Sequence, residues 1–210
     1  MATPDHVSTL TGAYKDIRTL IDQELTDIWN KLPLQDYQGV KDAMQTVMPA
    51  LIDKYGSTAS VIAGDWYENL RVDMGVPGNF MAVLADTADA EAIQVSTDWA
   101  MGAMYDGNPD IARKNLVSVV TRYSLGQAQD TIINSSLADP QHPRFARVPQ
   151  GRDTCQFCMM LASRGFVYAS GGTAGQMKHF HDSCDCKVVP DWSKSPSLKG
   201  YDPKKYTTKA

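Results

Sequence analysis

The sequence predicts a mainly α-helical N-terminal region followed by a small α+β C-terminal domain. Apolar residues recur three or four positions apart, the period of a helix, from residue 6 to about residue 134. Two prolines then interrupt this pattern within residues 138–143, and all four cysteines of the 210-residue chain follow the interruption. We therefore predict three parts: a helical region over residues 1–138, a small Cys/His domain over 139–192 and a basic, flexible tail over 193–210.

Five helices account for the apolar periodicity of the first region. Pro33 follows the first helix and ends it, whereas Pro49 lies inside the second, where we expect a kink or a break. Gly56 marks the end of the second helix, and Ser57 is placed to cap the third. Pro109 suits the first position of the fifth. The five helices are predicted over residues 6–31, 36–55, 57–70, 86–104 and 109–134.

The helical region carries no recognisable catalytic motif. His6 is the only histidine before residue 140, so that neither a Ser/His/Asp nor a Cys/His set can form there. Gly64 and Gly75 are isolated, which excludes a glycine-rich phosphate loop. Helically spaced methionines at positions 44, 48, 101 and 104 are typical of core packing. We expect neither enzymatic activity nor a small-molecule substrate.

After the proline-rich interruption the sequence predicts short elements. Residues 145–149 form the first strand, residues 159–163 a short helix and residues 166–168 a second strand candidate. The last part of residues 179–190 forms another short strand. So few apolar residues make a very small core, and such a segment needs an additional staple.

Charge is divided between the two ends of the chain. Residues 1–140 carry 9 Lys and Arg against 19 Asp and Glu, a net charge of −10. Residues 141–210 carry 11 against 5, a net charge of +6. A basic C-terminal end can contact nucleic acid or an acidic partner, or it can simply be solvated.

The cysteine window offers ligands for one metal ion. The Cys155-x-x-Cys158 pair can hold one side of a tetrahedral zinc site, with the intervening backbone amides turned toward the thiolates. His181-x-x-Cys184 has the same spacing, while Cys186 and His179 extend the set to six candidates. Four ligands close the site, which makes the zinc structural and the C-terminal domain zinc-stapled. The spacing alone does not decide which four residues bind the ion.

Two disulfides, two pairs of reduced thiols and a thioredoxin-like redox centre are the alternatives to zinc. The N-terminus lacks a basic segment followed by an apolar one, so that we expect no secretory signal and a reducing compartment. The chain has no apolar run near 18 residues, and we expect no contact with a membrane. A reducing compartment and histidines close to the second cysteine pair favour the metal site.

The cysteine window resembles a known family. Arg147-Val148-Pro149, then Cys155-Gln156-Phe157-Cys158, then Leu161 and Gly165, and finally His181-x-x-Cys184-x-Cys186 are similar to the MuF-like domain. That domain is named for protein F of phage Mu, and the version resembled is that of phages and prophages of actinobacteria. The resemblance covers residues 144–192 and differs at Asp182 and Asp185, where members often have Pro and Arg.

The resemblance implies a minor capsid protein that acts in phage head morphogenesis. Such proteins lie in the capsid interior near the portal, after assembly in the host cytoplasm. The implied partners are portal, capsid and scaffold proteins, with non-specific contact to packaged DNA. The metal ligands implied are Cys155, Cys158, His181, Cys184 and Cys186.

Two other functions remain open at the level of sequence. A zinc-ribbon-like nucleic-acid-binding protein would need basic residues interleaved with aromatic ones. The window supplies Arg144, Arg147, Arg152, Arg164 and Lys178 together with Phe145, Phe166 and Phe180. A toxin-related MuF enzyme such as an ADP-ribosyltransferase would need a catalytic Glu, and no Glu follows residue 140.

Overall fold

The computed structural model describes residues 2–151, 154–170 and 185–207. It is mainly helical with a small two-stranded sheet, which confirms the predicted fold class at that level. The elements in chain order are α1 (Pro4–Trp29), α2 (Tyr37–Asp73), α3 (Ala90–Tyr105), α4 (Pro109–Ala138), β1 (Arg144–Val148), α5 (Gln156–Ala162), β2 (Lys187–Asp191) and a 3₁₀ turn (Pro203–Tyr206).

The four long helices pack around one apolar core. α2 and α4 form its centre, α3 lies against both of them, and α1 covers the other side. The apolar stripe of each helix faces inward, as the periodicity predicts. Fully buried side chains on the four helices include Leu10, Ile21, Met44, Ile52, Ala100, Leu116 and Ile132.

α2 differs from its prediction, because one helix of 37 residues replaces the two predicted over 36–55 and 57–70. Pro49 removes one backbone donor, at a cost of about 3 kcal/mol or more, but the helix continues through it. Burial of Met48, Leu51 and Ile52 around the proline offsets this cost. The predicted break at Pro49 and the predicted cap at Ser57 are therefore wrong.

Gly56 lies inside α2 because α4 approaches the helix closely at that point. A Cβ atom at Gly56 would lie 2.6 Å from Cδ of Gln127, a distance at which atoms overlap. The terminal amide of Gln127 is buried and would have to be displaced to admit a side chain at position 56. This glycine serves the contact between the two central helices and does not end a helix.

We expect Gly56→Val to lower the free energy of unfolding by about 1–3 kcal/mol, because it overpacks the contact between α2 and α4. Gly12→Ala is the matched control, since no atom lies within 4 Å of a Cβ at that helical position. It should raise the stability by about 0.5–1 kcal/mol. Urea denaturation measures both changes, and a Gly56→Val protein as stable as the wild type would contradict the packing argument.

An extended strap, residues 79–89, precedes α3. Backbone amides of the strap donate to side chains of two helices: Ala82 N to Glu68 Oε1 at 2.8 Å, and Val83 N to Ser135 Oγ at 2.9 Å. Asp89 caps α3 by accepting from Ala92 N at 2.8 Å. α3 thus starts four residues later than predicted, because the earlier residues are held extended.

β1 and β2 form an antiparallel pair in which Arg144 lies opposite Asp191 and Val148 lies opposite Lys187. The predicted strand at 166–168 is reduced to a single bridge between Phe145 and Tyr168. β1 packs against α5, and β2 packs against α4 and α1. The sheet therefore rests on the helices, and its outer side is covered by α5.

The proline-containing segment 138–143 that interrupts the helical pattern carries a fully buried carboxylate, that of Asp139. It accepts from Arg71 Nε at 2.7 Å, from Tyr67 Oη at 3.0 Å and from Trp192 Nε1 at 3.0 Å. These hydrogen bonds join α2, the end of α4 and the residue after β2. The domain boundary near residue 139 stays a prediction. The helical region before it and the C-terminal residues after it are in direct contact.

None of the helices within the described residues is long and apolar enough to span a bilayer.

Candidate metal centre

The described residues include three of the six candidate ligands. Cys155 and Cys158 lie at the start of α5, and Cys186 lies directly before β2. His179, His181 and Cys184 fall outside the described residues. The geometry of the site is therefore that of its three described cysteines and of the elements that place them.

The Cys155-x-x-Cys158 pair forms a turn that opens α5. The Cys155 sulfur accepts a hydrogen bond from the backbone N of Cys158 at 3.3 Å. The Cys158 side chain is buried, while Cys155 is half-buried. An amide that points at a thiol stabilises the thiolate form that binds a metal, so this turn fits the first half of a zinc site.

The strand register places Cys186 near the last residue of β1. Val148 ends β1 and lies opposite Lys187, so Cys186 lies close to the point where the chain leaves β1 and continues toward Cys155. Asp185, the residue before Cys186, is hydrogen-bonded to the chain that follows β1: its Oδ2 accepts from the backbone N of Gly151 at 2.5 Å. The segment before Cys155 and the segment that bears Cys186 are thus held together.

Tyr201 belongs to the chain after β2 and contacts α5. Its hydroxyl donates to the carbonyl of Ala162 at the end of α5. Burial raises the pKa of this hydroxyl above its ordinary value. The chain after β2 therefore connects α5 with the neighbourhood of Cys186.

Gln129, Asp185 and Tyr201 support the site, and sequence reasoning missed all three. Gln129 Oε1 accepts from Val188 N at 2.8 Å, and its Nε2 donates to the Cys186 carbonyl at 3.3 Å, which holds β2 on α4. One signal for Gln129 was available: a polar residue on the buried face of α4. Asp185 and Tyr201 carry no local signal, because their partners are 34 and 39 residues away.

Within residues 2–151, 154–170 and 185–207, no three His, Cys, Asp or Glu side chains are grouped so as to hold a metal ion. The described cysteines supply at most part of a four-ligand set. The remaining candidates belong to the histidine and cysteine segment outside the described residues.

Burial removes several residues from the candidate nucleic-acid interface. Arg147 and Phe145 are fully buried, and Phe166 is nearly so, whereas Arg144 and Arg164 are exposed. Arg152, Lys178 and Phe180 lie outside the described residues. A base-stacking surface interleaved with arginine is therefore not formed by Phe145, Phe166 and Arg147.

The model of the VG15 protein family matches residues 1–209, nearly the whole chain. The chain belongs to the VG15 protein family. The match includes both the helical region and the cysteine window, so that one family description extends over all predicted parts. Membership indicates a phage protein. No curated protein and no solved structure matches this VG15 protein.

Proposed function

We propose that this VG15 protein is a MuF-like minor capsid protein that acts in phage head morphogenesis near the portal. One observation carries the proposal: the cysteine pattern that resembles the MuF-like domain occurs in a chain that belongs to a phage protein family. The placement of Cys155, Cys158 and Cys186 at one end of the sheet is consistent with that resemblance.

The proposed metal is a structural zinc ion held by four residues of the set Cys155, Cys158, His181, Cys184 and Cys186. Thiolates and imidazoles are the donors that zinc prefers. The ion would tie the start of α5 to the chain before β2. Each strand has only five residues and α5 has seven, so that a staple has a clear structural purpose.

The proposed partners are portal, capsid and scaffold proteins, with non-specific contact between the basic C-terminal end and packaged DNA. Four exposed lysines support the DNA contact: Lys194, Lys199, Lys204 and Lys205. We propose no enzymatic activity, no small-molecule substrate and no membrane contact. The proposed location is the capsid interior, after assembly in the host cytoplasm.

Purified heads test the proposed role. We expect the chain in heads assembled by a tail-defective phage, in fewer copies than the major capsid protein, as measured by quantitative mass spectrometry. A phage that lacks the gene should yield aberrant or non-infectious heads. Absence of the protein from heads at every stage of assembly would contradict the proposal.

A further inference from the structure

One segment of the helical region carries acidic residues and no lysine or arginine. The 41 residues from 72 to 112 contain seven acidic side chains and neither lysine nor arginine. The acidic residues are Asp73, Asp86, Asp89, Glu91, Asp98, Asp106 and Asp110. Of these, Asp98 is paired with Lys41 at 2.9 Å and Asp73 with His6 at 3.3 Å. The remaining charges produce a negative field over the strap and α3.

The same segment exposes large apolar side chains. Eight of the thirteen that the described residues expose belong to residues 72–112, and three more belong to residues 157–167. Met81 is 81% exposed and Trp99 is 60% exposed. Exposed apolar residues concentrated in two short segments indicate contact surfaces. The eight residues are Val72, Met81, Val83, Leu84, Val95, Trp99, Tyr105 and Ile111.

The strap and α3 form one long face, because both follow α4 in the antiparallel direction. Ala85 N donates to Thr131 Oγ1 at 3.0 Å, and further along Tyr123 Oη donates to the Ala92 carbonyl at 2.9 Å. α4 has 30 residues and is therefore about 45 Å long. We name the strap together with α3 the acidic face.

A groove of about 370 Å³ opens on the acidic face between the strap and α4. Asp86, Asp89, Asp130 and Arg122 line it, and the Arg122 guanidinium lies over the Tyr123 ring at 4.9 Å. Gln127 also lines the groove and is 94% buried, with an Nε2 that lacks a hydrogen-bond partner among the described residues. Three carboxylates around one groove suit a long basic side chain.

The C-terminal end presents the complementary chemistry. α5 exposes Phe157 and Met160, and the chain that follows α5 exposes Val167. The 3₁₀ turn packs against α5 and carries the exposed Lys204 and Lys205, while Arg164 and Lys199 are exposed nearby in the chain. We name α5 together with residues 164–167 and the 3₁₀ turn the basic face.

We propose that the two faces bind each other between copies, so that the basic face of one copy docks on the acidic face of the next. Opposite charge steers the encounter, and the exposed apolar residues supply the buried area. A contact between two acidic faces would place like charges together, so the acidic face of one copy meets the basic face of the other. This inference does not rest on the proposed function, since only the charges and exposed side chains of this chain enter it.

Sedimentation velocity of the full chain as purified tests the inference. We expect association that increases with protein concentration and weakens when the salt concentration is raised from 0.05 to about 0.5 M. Trp99→Lys damages the acidic face, and Met160→Glu damages the basic face. Each variant alone should associate about 30-fold more weakly, because a central aromatic or apolar anchor is lost. Leu20→Lys is the control, since this exposed leucine of α1 belongs to neither face.

Mixing the two variants distinguishes a contact between unlike faces from a contact between like faces. Trp99→Lys retains an intact basic face, and Met160→Glu retains an intact acidic face, so that the mixture should form dimers of one copy of each. Val95→Lys repeats the acidic-face test if Trp99→Lys fails to fold by circular dichroism. A wild-type chain that stays monomeric, or a mixture that does not associate, would overturn the proposal. If a monomeric wild type binds another basic protein through the acidic face, that protein is the occupant and self-association is refuted.

Discussion

Removal of the proposed zinc ion is expected to unfold the segment around Cys155, Cys158 and Cys186 while the four long helices stay folded. The sheet and α5 are short elements that contribute a minority of the buried residues of the common core, whereas most of that core belongs to α1 to α4. Zinc binding to small zinc-finger peptides contributes about 10–16 kcal/mol of apparent folding free energy, and a comparable staple here would dominate local stability.

Metal content and spectroscopy measure this effect together. We expect one zinc per chain in protein purified from zinc-supplemented medium. A strong chelator should change the fluorescence of Trp192, which follows β2 directly, with little loss of helical circular dichroism. A single transition that unfolds the whole chain would contradict the partition into residues 1–138 and 139–192.

Cys158→Ser should abolish stoichiometric zinc binding and reproduce the effect of the chelator. Met160→Ser is the matched control, because it changes an exposed residue of the same short helix. It should retain one zinc per chain. A wild-type protein that is free of metal and joined by disulfides would refute the zinc proposal, and Cys184 is then a candidate partner for one of the described cysteines.

The helices could be predicted because burial imposes a local repeat on the sequence. Val7, Leu10, Tyr14 and Ile17 mark the inner face of α1 at helical spacing, and all four are buried. The prediction that α2 ends at Gly56 is wrong because the sequence around a glycine looks the same in two cases. The glycine can end a helix, or it can lie inside a helix where another helix packs closely. Only the position of Gln127, 71 residues away, distinguishes these two cases.

The candidate site could be predicted in its ligands but not in its surroundings. The Cys155-x-x-Cys158 spacing specifies a turn, and the structure contains that turn with its amide-to-sulfur hydrogen bond. The approach of Cys186 depends on the register between β1 and β2, and a register is set by pairing across 38 intervening residues. Such pairing leaves no local pattern, because it involves residues distant in sequence.

Asp139→Asn is expected to lower the free energy of unfolding by about 3–5 kcal/mol. The substitution preserves size but leaves the Arg71 charge uncompensated in the interior, where its side chain is only 5% exposed. Arg71 cannot release its proton to avoid this cost. Its other contacts are the carbonyls of Gly78 at 3.1 Å and Pro77 at 3.4 Å and the Phe80 ring at 5.2 Å, none of which carries a full charge.

Two controls separate the buried charge from other effects of the substitution. Asp73→Asn changes an aspartate that is 58% exposed and paired with His6, and it should alter the stability by about 1 kcal/mol or less. In an Arg71→Met background the effect of Asp139→Asn should fall by about 2 kcal/mol, because no buried cation remains. Urea denaturation of the four proteins of this cycle gives the coupling energy, and additive effects would contradict a charge-pair explanation.

The consequence of Asp139→Asn should reach both sides of the predicted boundary. Asp139 accepts from Tyr67 of α2 and from Trp192 after β2, and the rings of Tyr67 and Trp192 are 5.3 Å apart. Burial and, second to it, the negative charge of Asp139 raise the pKa of the Tyr67 hydroxyl, so that this group stays a donor at neutral pH. An asparagine at position 139 offers one acceptor oxygen, whereas in the wild-type protein the donors share the two carboxylate oxygens of Asp139. The fluorescence of Trp192 and the unfolding of the helices should therefore respond together to Asp139→Asn, whereas zinc removal should affect the first without the second.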